Sequence, residues 1–199
     1  MADRVGNLVV VNADESCLGN GREGDNPGGA ASLIETLSGE NIVRHDLYIS
    51  APATTNNRMA LAGAIATFAL LSEHGSQLKL IYVSDSQYLV KGITEWVPGW
   101  RARGWKRKGG AVENLELWKR LVKVSAGHDA TWKWVRGHDG HAKNEYVNDL
   151  AILAATEQKT SEGLVESRLE QWLDRKRSRG KYADYDPDRA VRELEAELP

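Results

Sequence analysis

Apolar and polar positions divide the chain into short strands followed by alternating helices and strands. Residues 7–12 are an apolar run bounded by polar residues and predict a strand ending just before Asp14. Gly19, Gly21, Gly24, Gly28 and Gly29, with Pro27 among them, predict a loop with accessible backbone amides. Residues 30–37 and 41–50 resume the apolar pattern as second and third strands, and the short links favour an antiparallel meander. Pro52 breaks the pattern, and Thr55-Asn56-Asn57 offers N-cap chemistry for a helix running to about Glu73. The continuous apolar run 78–84 predicts a fourth strand, with Asp85 at its C-terminal end. One helix is expected to begin over 86–93 and another to span 112–125, separated by a glycine-rich basic loop over 101–110. Residues 131–135 predict a short strand with Trp132 and Trp134 on one side, and 144–158 a helix after the loop 137–141. This order gives an α/β fold in which helices pack on a mixed sheet and helical crossovers make the later strands parallel to a neighbour.

From Thr160 the composition changes. Leu164, Leu169, Trp172 and Leu173 could line one helix face, ahead of the basic run Arg175-Lys176-Arg177-Ser178-Arg179-Gly180. Asp186-Pro187 then predicts a second helix, with Asp at the cap and Pro in the first turn. The expected division is a domain over 1–158 and a charged helical extension over 159–199, docked on the domain or used by a protein partner. A chain of 199 residues can build its own core, so a monomer is expected, and the single cysteine, Cys17, excludes an intramolecular disulfide. The uncharged stretch 59–72 is too short for a bilayer crossing, and no signal-like segment opens the chain; a cytoplasmic protein with no membrane contact is expected.

The net charge of -2 conceals an uneven distribution. Residues 96–136 carry 10 basic and 3 acidic side chains, while the segments before and after are both acidic, and six of the seven tryptophans lie between Trp96 and Trp134. A basic, aromatic-rich region in an acidic chain suits a polyanion held at one place; a charged helix face over a tryptophan-rich core would give the same count. Asp14 and Asp85 each follow a predicted strand, where a sheet fixes side chains and loops leave access. Paired carboxylates there suit divalent cations with oxygen ligands, and two such ions would serve phosphodiester hydrolysis. Each Asp could equally cap a turn.

Several ordered blocks sharpen this picture. They are Asp14-Glu15-Ser16-Cys17-Leu18-Gly19-Asn20, Thr54-Thr55-Asn56-Asn57-Arg58-Met59, Val83-Ser84-Asp85-Ser86-Gln87-Tyr88 and Gly92-Ile93-Thr94-Glu95-Trp96. Arg103-Gly104-Trp105-Lys106, the run from Trp134 to His141, and Asn144-Glu145 follow. In this order they resemble the type 1 ribonuclease H family over about residues 7–155. The resemblance implies a five-stranded mixed sheet with its first three strands antiparallel, and cleavage of the RNA strand of an RNA–DNA hybrid with Mg²⁺ or Mn²⁺. It assigns residues of about 96–110 to a basic handle that holds the DNA backbone, through Trp96, Trp100, Arg103, Trp105, Lys106, Arg107 and Lys108. It places Cys17, Asn20, Asn56, Asn57 and Gln87 at the minor groove, Thr55 and Asn56 at a DNA phosphate, and His138 in a loop assisting proton transfer or product release.

Two positions depart from the family. Where the resemblance implies Glu the chain has Ala60, and where it implies Asp the chain has Asn148; only Asp14 and Asp85 of four carboxylates remain. An amide oxygen at Asn148 can still touch a metal, but a methyl cannot. Glu15 and Asp149 are neighbours that could compensate. One step along a strand reverses the side-chain direction, and one step along a helix turns it by about 100°, so neither is expected at the missing angle. The expected result is weak metal binding and strongly impaired hydrolysis. The alternative is an inactive homologue that binds hybrid or a protein without cleaving.

Overall fold

The computed structural model describes residues 8–19, 25–73, 75–137 and 140–198. The strands are β1 (Leu8–Cys17), β2 (Gly28–Ser38), β3 (Asn41–Ala51), β4 (Lys79–Ser84), β5 (Asp129–Trp134) and β6 (Val165–Glu166). They form one sheet in the order β5-β4-β1-β2-β3-β6. β1, β2 and β3 are antiparallel, and β4 and β5 run parallel to β1, as the meander and the crossovers required. The sixth strand is an addition to the five expected: two residues of the extension pair with His45 and Asp46 at the β3 edge.

β1 runs past its expected end. Its pairing with β2 continues to Cys17 opposite Gly28, so Asp14 lies inside the strand rather than after it. β4 stops earlier, at Ser84 opposite Ala13, which leaves Asp14 and Glu15 beyond the end of that neighbour. This inequality of length opens the sheet where the two strands finish.

Alternation along β1 sends its side chains to two cores. Val9, Val11 and Ala13 pack with Ala60, Leu61, Ala64 and Phe68 of helix α1 (Asn56–Ser72) and with Trp118 and Leu121 of helix α4 (Leu115–Ser125). On the other face, Ala31 and Leu33 of β2 pack with Val147 and Ala151 of helix α5 (Ala142–Glu157).

The helix expected to begin over 86–93 runs on well beyond it. α2 (Gln87–Lys91) passes through a π-helical turn (Gly92–Trp96) into α3 (Val97–Ala102). Pro98 does not stop it: it stands just after the π-helical turn, in the first turn of α3. Gly92 is required: a Cβ there would lie 2.0 Å from the Trp118 ring. α4 starts three residues later than expected, after Asn114 in a left-handed conformation (φ 54°).

The extension is docked. Its helix α6 (Leu169–Arg177) buries Leu169, Trp172 and Leu173 beside α5, while Leu164 precedes β6 and joins the α1-side core instead of the helix face. Helix α7 (Pro187–Ala196) begins as expected, with the Asp186 carboxylate accepting from the Asp188 and Arg189 amides at 2.9 and 3.1 Å. Its Val191 covers Leu8, Val10, Ile81 and Val83 on the sheet face that α5 leaves open. A buried ion network fastens it: the Lys143 Nζ of α5 lies 2.6 Å from Glu35 and donates to the Pro187 carbonyl, and Arg44 bridges Glu35 to Glu170 and Asp188. Among the described residues no helix is long and apolar enough to cross a membrane.

Candidate active site

Asp14, Glu15 and Asp85 meet where β1 outruns β4, and each offers a carboxylate oxygen within 4.8 Å of the others. Glu15, a possible compensating ligand not expected at the angle of the missing one, joins this cluster. Strand alternation does send Glu15 to the opposite face from Asp14, which is the α1 side occupied by Ala13 and Ala60. Because β4 has ended, no backbone separates the two faces there. The long Glu15 side chain therefore reaches the cluster from the side on which Ala60 stops at a methyl. Ala60 itself is buried in the α1-side core.

Asp149, the other candidate for compensation, is turned away. Its carboxylate accepts from the Trp172 indole at 2.8 Å and lies 3.3 Å from Lys176 Nζ, so it holds α6. Asn148 is half-buried, one turn beyond Asn144 on the same face of α5. Asn144 is a further residue of the site. Its amide donates to Asp14 Oδ2 at 3.3 Å, and among the described residues its own buried oxygen has no hydrogen-bond partner. Three further supports also escaped sequence reasoning. The Trp134 indole donates to the Asp85 carbonyl at 3.0 Å, a Ser86 side chain hydrogen bond holds Glu15, and a Cβ at Gly137 would lie 2.2 Å from the Asp85 carboxylate. Each of these residues stands inside one of the ordered motif blocks, which is the sequence signal that points to them.

The electrostatics are those of a cation site. Burial, then the charge of Asp85, pushes the Asp14 carboxyl up to about 8; burial, then Asp14 and Asp85, pushes Glu15 up to about 8 as well. Three carboxylates supply oxygen donors only, repel one another, and have an unsatisfied amide oxygen beside them. That set fits a hard divalent cation.

The same groups set a pH dependence. Between about pH 4 and 8 the folded chain binds more protons at Asp14 and Glu15 than the unfolded chain. Stability without a divalent cation therefore falls as pH rises through that window. Thermal melting in chelator should show this decline between pH 5 and 8.5, shallower in Asp14→Asn, and Mg²⁺ should oppose it. Parallel pH profiles for the native and Asp14→Asn proteins in chelator would contradict the assignment.

The remaining candidates are spread around this centre. Thr55 caps α1, accepting from the Arg58 amide at 3.3 Å, so Asn56 and Asn57 stand in the first turn rather than at the cap. The Cys17 thiol, raised by burial, donates to the Thr54 and Asn26 carbonyls. Gln87 is exposed at the start of α2. Trp96, Trp100, Trp118 and Tyr88 form a chain of ring contacts with centroids 5.3–5.9 Å apart. Trp100 and Trp105 rest half-buried on the core, whereas Trp96, Arg103, Lys106, Arg107 and Lys108 are exposed. The tryptophans thus anchor the basic loop as well as facing solvent. Asn20 and His138 lie outside the described residues.

Comparison with known proteins agrees with this geometry. The family model for RNase H matches residues 6–156. The chain is 43% identical over 150 residues to the ribonuclease H of Pelobacter propionicus, covering 75% of this chain and 85% of that protein. It is 37% identical over 166 residues to the ribonuclease H of Photorhabdus luminescens, covering 82% and 99%. Among solved structures, the crystal structure of LC9-RNase H1, described as a type 1 RNase H with the type 2 active-site motif, superposes with a TM-score of 0.79. It is 52% identical, covering 86% of this chain and 83% of that one. With the fold, the ordered motifs and the carboxylate centre in agreement, the chain belongs to the ribonuclease H family.

Proposed function

We propose that this chain is an RNA–DNA hybrid ribonuclease that cleaves the RNA strand with Mg²⁺ or Mn²⁺, and that Glu15 supplies the carboxylate absent at position 60. The observation that carries this reading is the convergence of Asp14, Glu15 and Asp85. The impairment expected from Ala60 and Asn148 rested on a charge deficit. Glu15 raises the cluster from two carboxylates to three and moves the third ligand from helix to strand. A family member of this similarity described as carrying a different active-site motif supports such a relocation.

Asp14, Glu15 and Asp85 would hold the metal, with Asn148 adding a neutral oxygen. Bound Mg²⁺ or Mn²⁺ supplies activation of the attacking water and stabilisation of the leaving oxygen in phosphodiester hydrolysis. Asn144 orients Asp14 by its amide hydrogen bond. Trp134 and Gly137 fix the backbone and the close packing around Asp85. Cys17, Asn20, Asn56, Asn57 and Gln87 are assigned to the minor groove, where the 2′-hydroxyl distinguishes RNA. Thr55 and Asn56 are assigned to a DNA phosphate, the handle to the DNA backbone, and His138 to proton transfer or product release.

The test is cleavage of an end-labelled hybrid, compared with duplex DNA and duplex RNA, in Mg²⁺, Mn²⁺ or chelator. The expected result is metal-dependent cleavage of the RNA strand of the hybrid alone, leaving 5′-phosphate and 3′-hydroxyl ends. Hybrid binding with no cleavage in either metal would instead support a binding protein that has lost hydrolysis.

A further inference from the structure

The C-terminal extension ends its first helix against α5, the helix that carries Asn144 and Asn148. Lys176 Nζ lies 3.3 Å from Asp149 in the second turn of α5, and Lys181 Nζ 3.8 Å from Glu145 in the first. Lys143, also in that first turn, donates to the Pro187 carbonyl. The chain from Lys176 to Pro187 is thereby gathered at the end of α5 where Asn144 meets Asp14. Residues 145 and 149 are one helical step, about 100°, from 144 and 148. The extension thus flanks the face of α5 that borders the carboxylates.

This segment has five cations in seven residues and no acid: Arg175, Lys176, Arg177, Arg179 and Lys181, interrupted only by Ser178 and Gly180. Lys176 sits over the Trp172 ring as well as beside Asp149, and Arg177 bonds Asp174 and the Tyr185 carbonyl. Arg175 and Arg179 are exposed and form no ion pair among the described residues. The turn that presents them is built: the amides of residues 178–181 donate to the carbonyls of Asp174, Lys176 and Arg177, and Gly180 takes the left-handed conformation (φ 77°).

The handle packs on the α1 and α4 side of the sheet, and this basic turn on the α5 side. We infer that residues 175–181 are a second contact for the hybrid's phosphate backbone, made by Arg175 and Arg179, which lengthens the bound stretch on the side away from the handle. The inference rests on the hybrid-ribonuclease reading above. The residues that pair with this turn, Glu145 and Asp149, stand next to Asn144 and Asn148 on α5, which sets it beside the hybrid of that reading and favours nucleic acid over an acidic protein as the partner. The extension lies beyond the segment that matches the family model, so this contact is an addition to the domain.

The experiment compares the native chain with the double variant Arg175→Gln/Arg179→Gln, both sites being exposed. Binding to a hybrid of about 20 base pairs is followed by fluorescence anisotropy in chelator, across a salt series. Loss of two phosphate contacts should lower the slope of log affinity against log salt by about 1.8. The deficit in affinity should therefore be roughly tenfold larger at 50 mM than at 200 mM salt. Arg175→Lys/Arg179→Lys should keep the native slope. Native binding with an identical slope and affinity in the Gln variant would overturn the inference while leaving the hybrid reading intact. Unchanged hybrid binding combined with lost retention of poly-glutamate would overturn it in favour of an acidic protein partner. A native chain that neither binds nor cleaves hybrid would overturn the functional reading, and this inference with it.

Discussion

Glu15→Gln should lower the rate of hybrid cleavage by roughly 10²–10³-fold, the scale on which preorganised charge-stabilising groups act. The substitution keeps the size of the side chain and one oxygen, but removes a charge and aims an amide N–H₂ at Asp14 and Asp85. Because Glu15 approaches from the α1 face and Asp14 from the α5 face, neither can be replaced by a small shift of the other. Hybrid affinity in chelator should be unchanged or slightly higher, since repulsion of phosphate is reduced. Asp149→Asn provides the contrast. Its carboxylate is occupied by Trp172 and Lys176, so cleavage should stay within about twofold of native, with a small loss of melting temperature from weaker docking of α6. The two measurements are single-turnover rates and thermal melts. Equal effects of the two substitutions on rate would remove the distinction drawn between these neighbours.

Truncation after Thr160 should abolish cooperative thermal unfolding. The sequence reading made the domain complete by about residue 158, which would predict a folded remainder. The packing argues otherwise. Leu169, Trp172, Leu173 and Val191 are all buried against the sheet and α5, and each large apolar side chain contributes about 1.5–3 kcal/mol. Their sum is comparable to the whole stability of a domain, about 5–15 kcal/mol. Truncation would also expose Val10, Ile81 and Val83, and would strip buried Lys143 of its Pro187 partner and Arg44 of Asp188. Circular dichroism melting of the truncated chain tests this. Trp172→Ala, expected to cost about 3–5 kcal/mol, gives a graded probe of the same interface. A truncated chain that melts cooperatively within a few degrees of the native protein would show the extension to be accessory.

What the sequence made legible follows from how local each feature is. Strand period, caps and breakers act within a few residues, so β2, β3, α1 and the Asp186 cap of α7 could be placed before any contact was known. Asp14 and Asp85 could be found because each stands near a strand end inside a motif. Glu15 could not, because its direction was read from strand alternation alone, whereas its reach depends on β4 stopping opposite Ala13. Asp149 was likewise ambiguous until Trp172 and Lys176, over twenty residues away, were seen to occupy it. The docking of the extension depended on Glu35 and Arg44, which read as ordinary strand charges until Lys143 and Asp188 were placed beside them.

The claim that the third carboxylate has moved from helix to strand is tested most directly by moving it back. Single-turnover cleavage of a hybrid in Mg²⁺ would be measured for the native chain, Glu15→Ala, Ala60→Glu and the double change, each shown to be folded and to bind hybrid. Active native protein, an inert Glu15→Ala and substantial recovery in Glu15→Ala/Ala60→Glu are the results this account predicts, with Ala60→Glu alone adding little. A Glu15→Ala variant that cleaves as fast as the native chain, or a native chain that is inert until Ala60 becomes Glu, would contradict it.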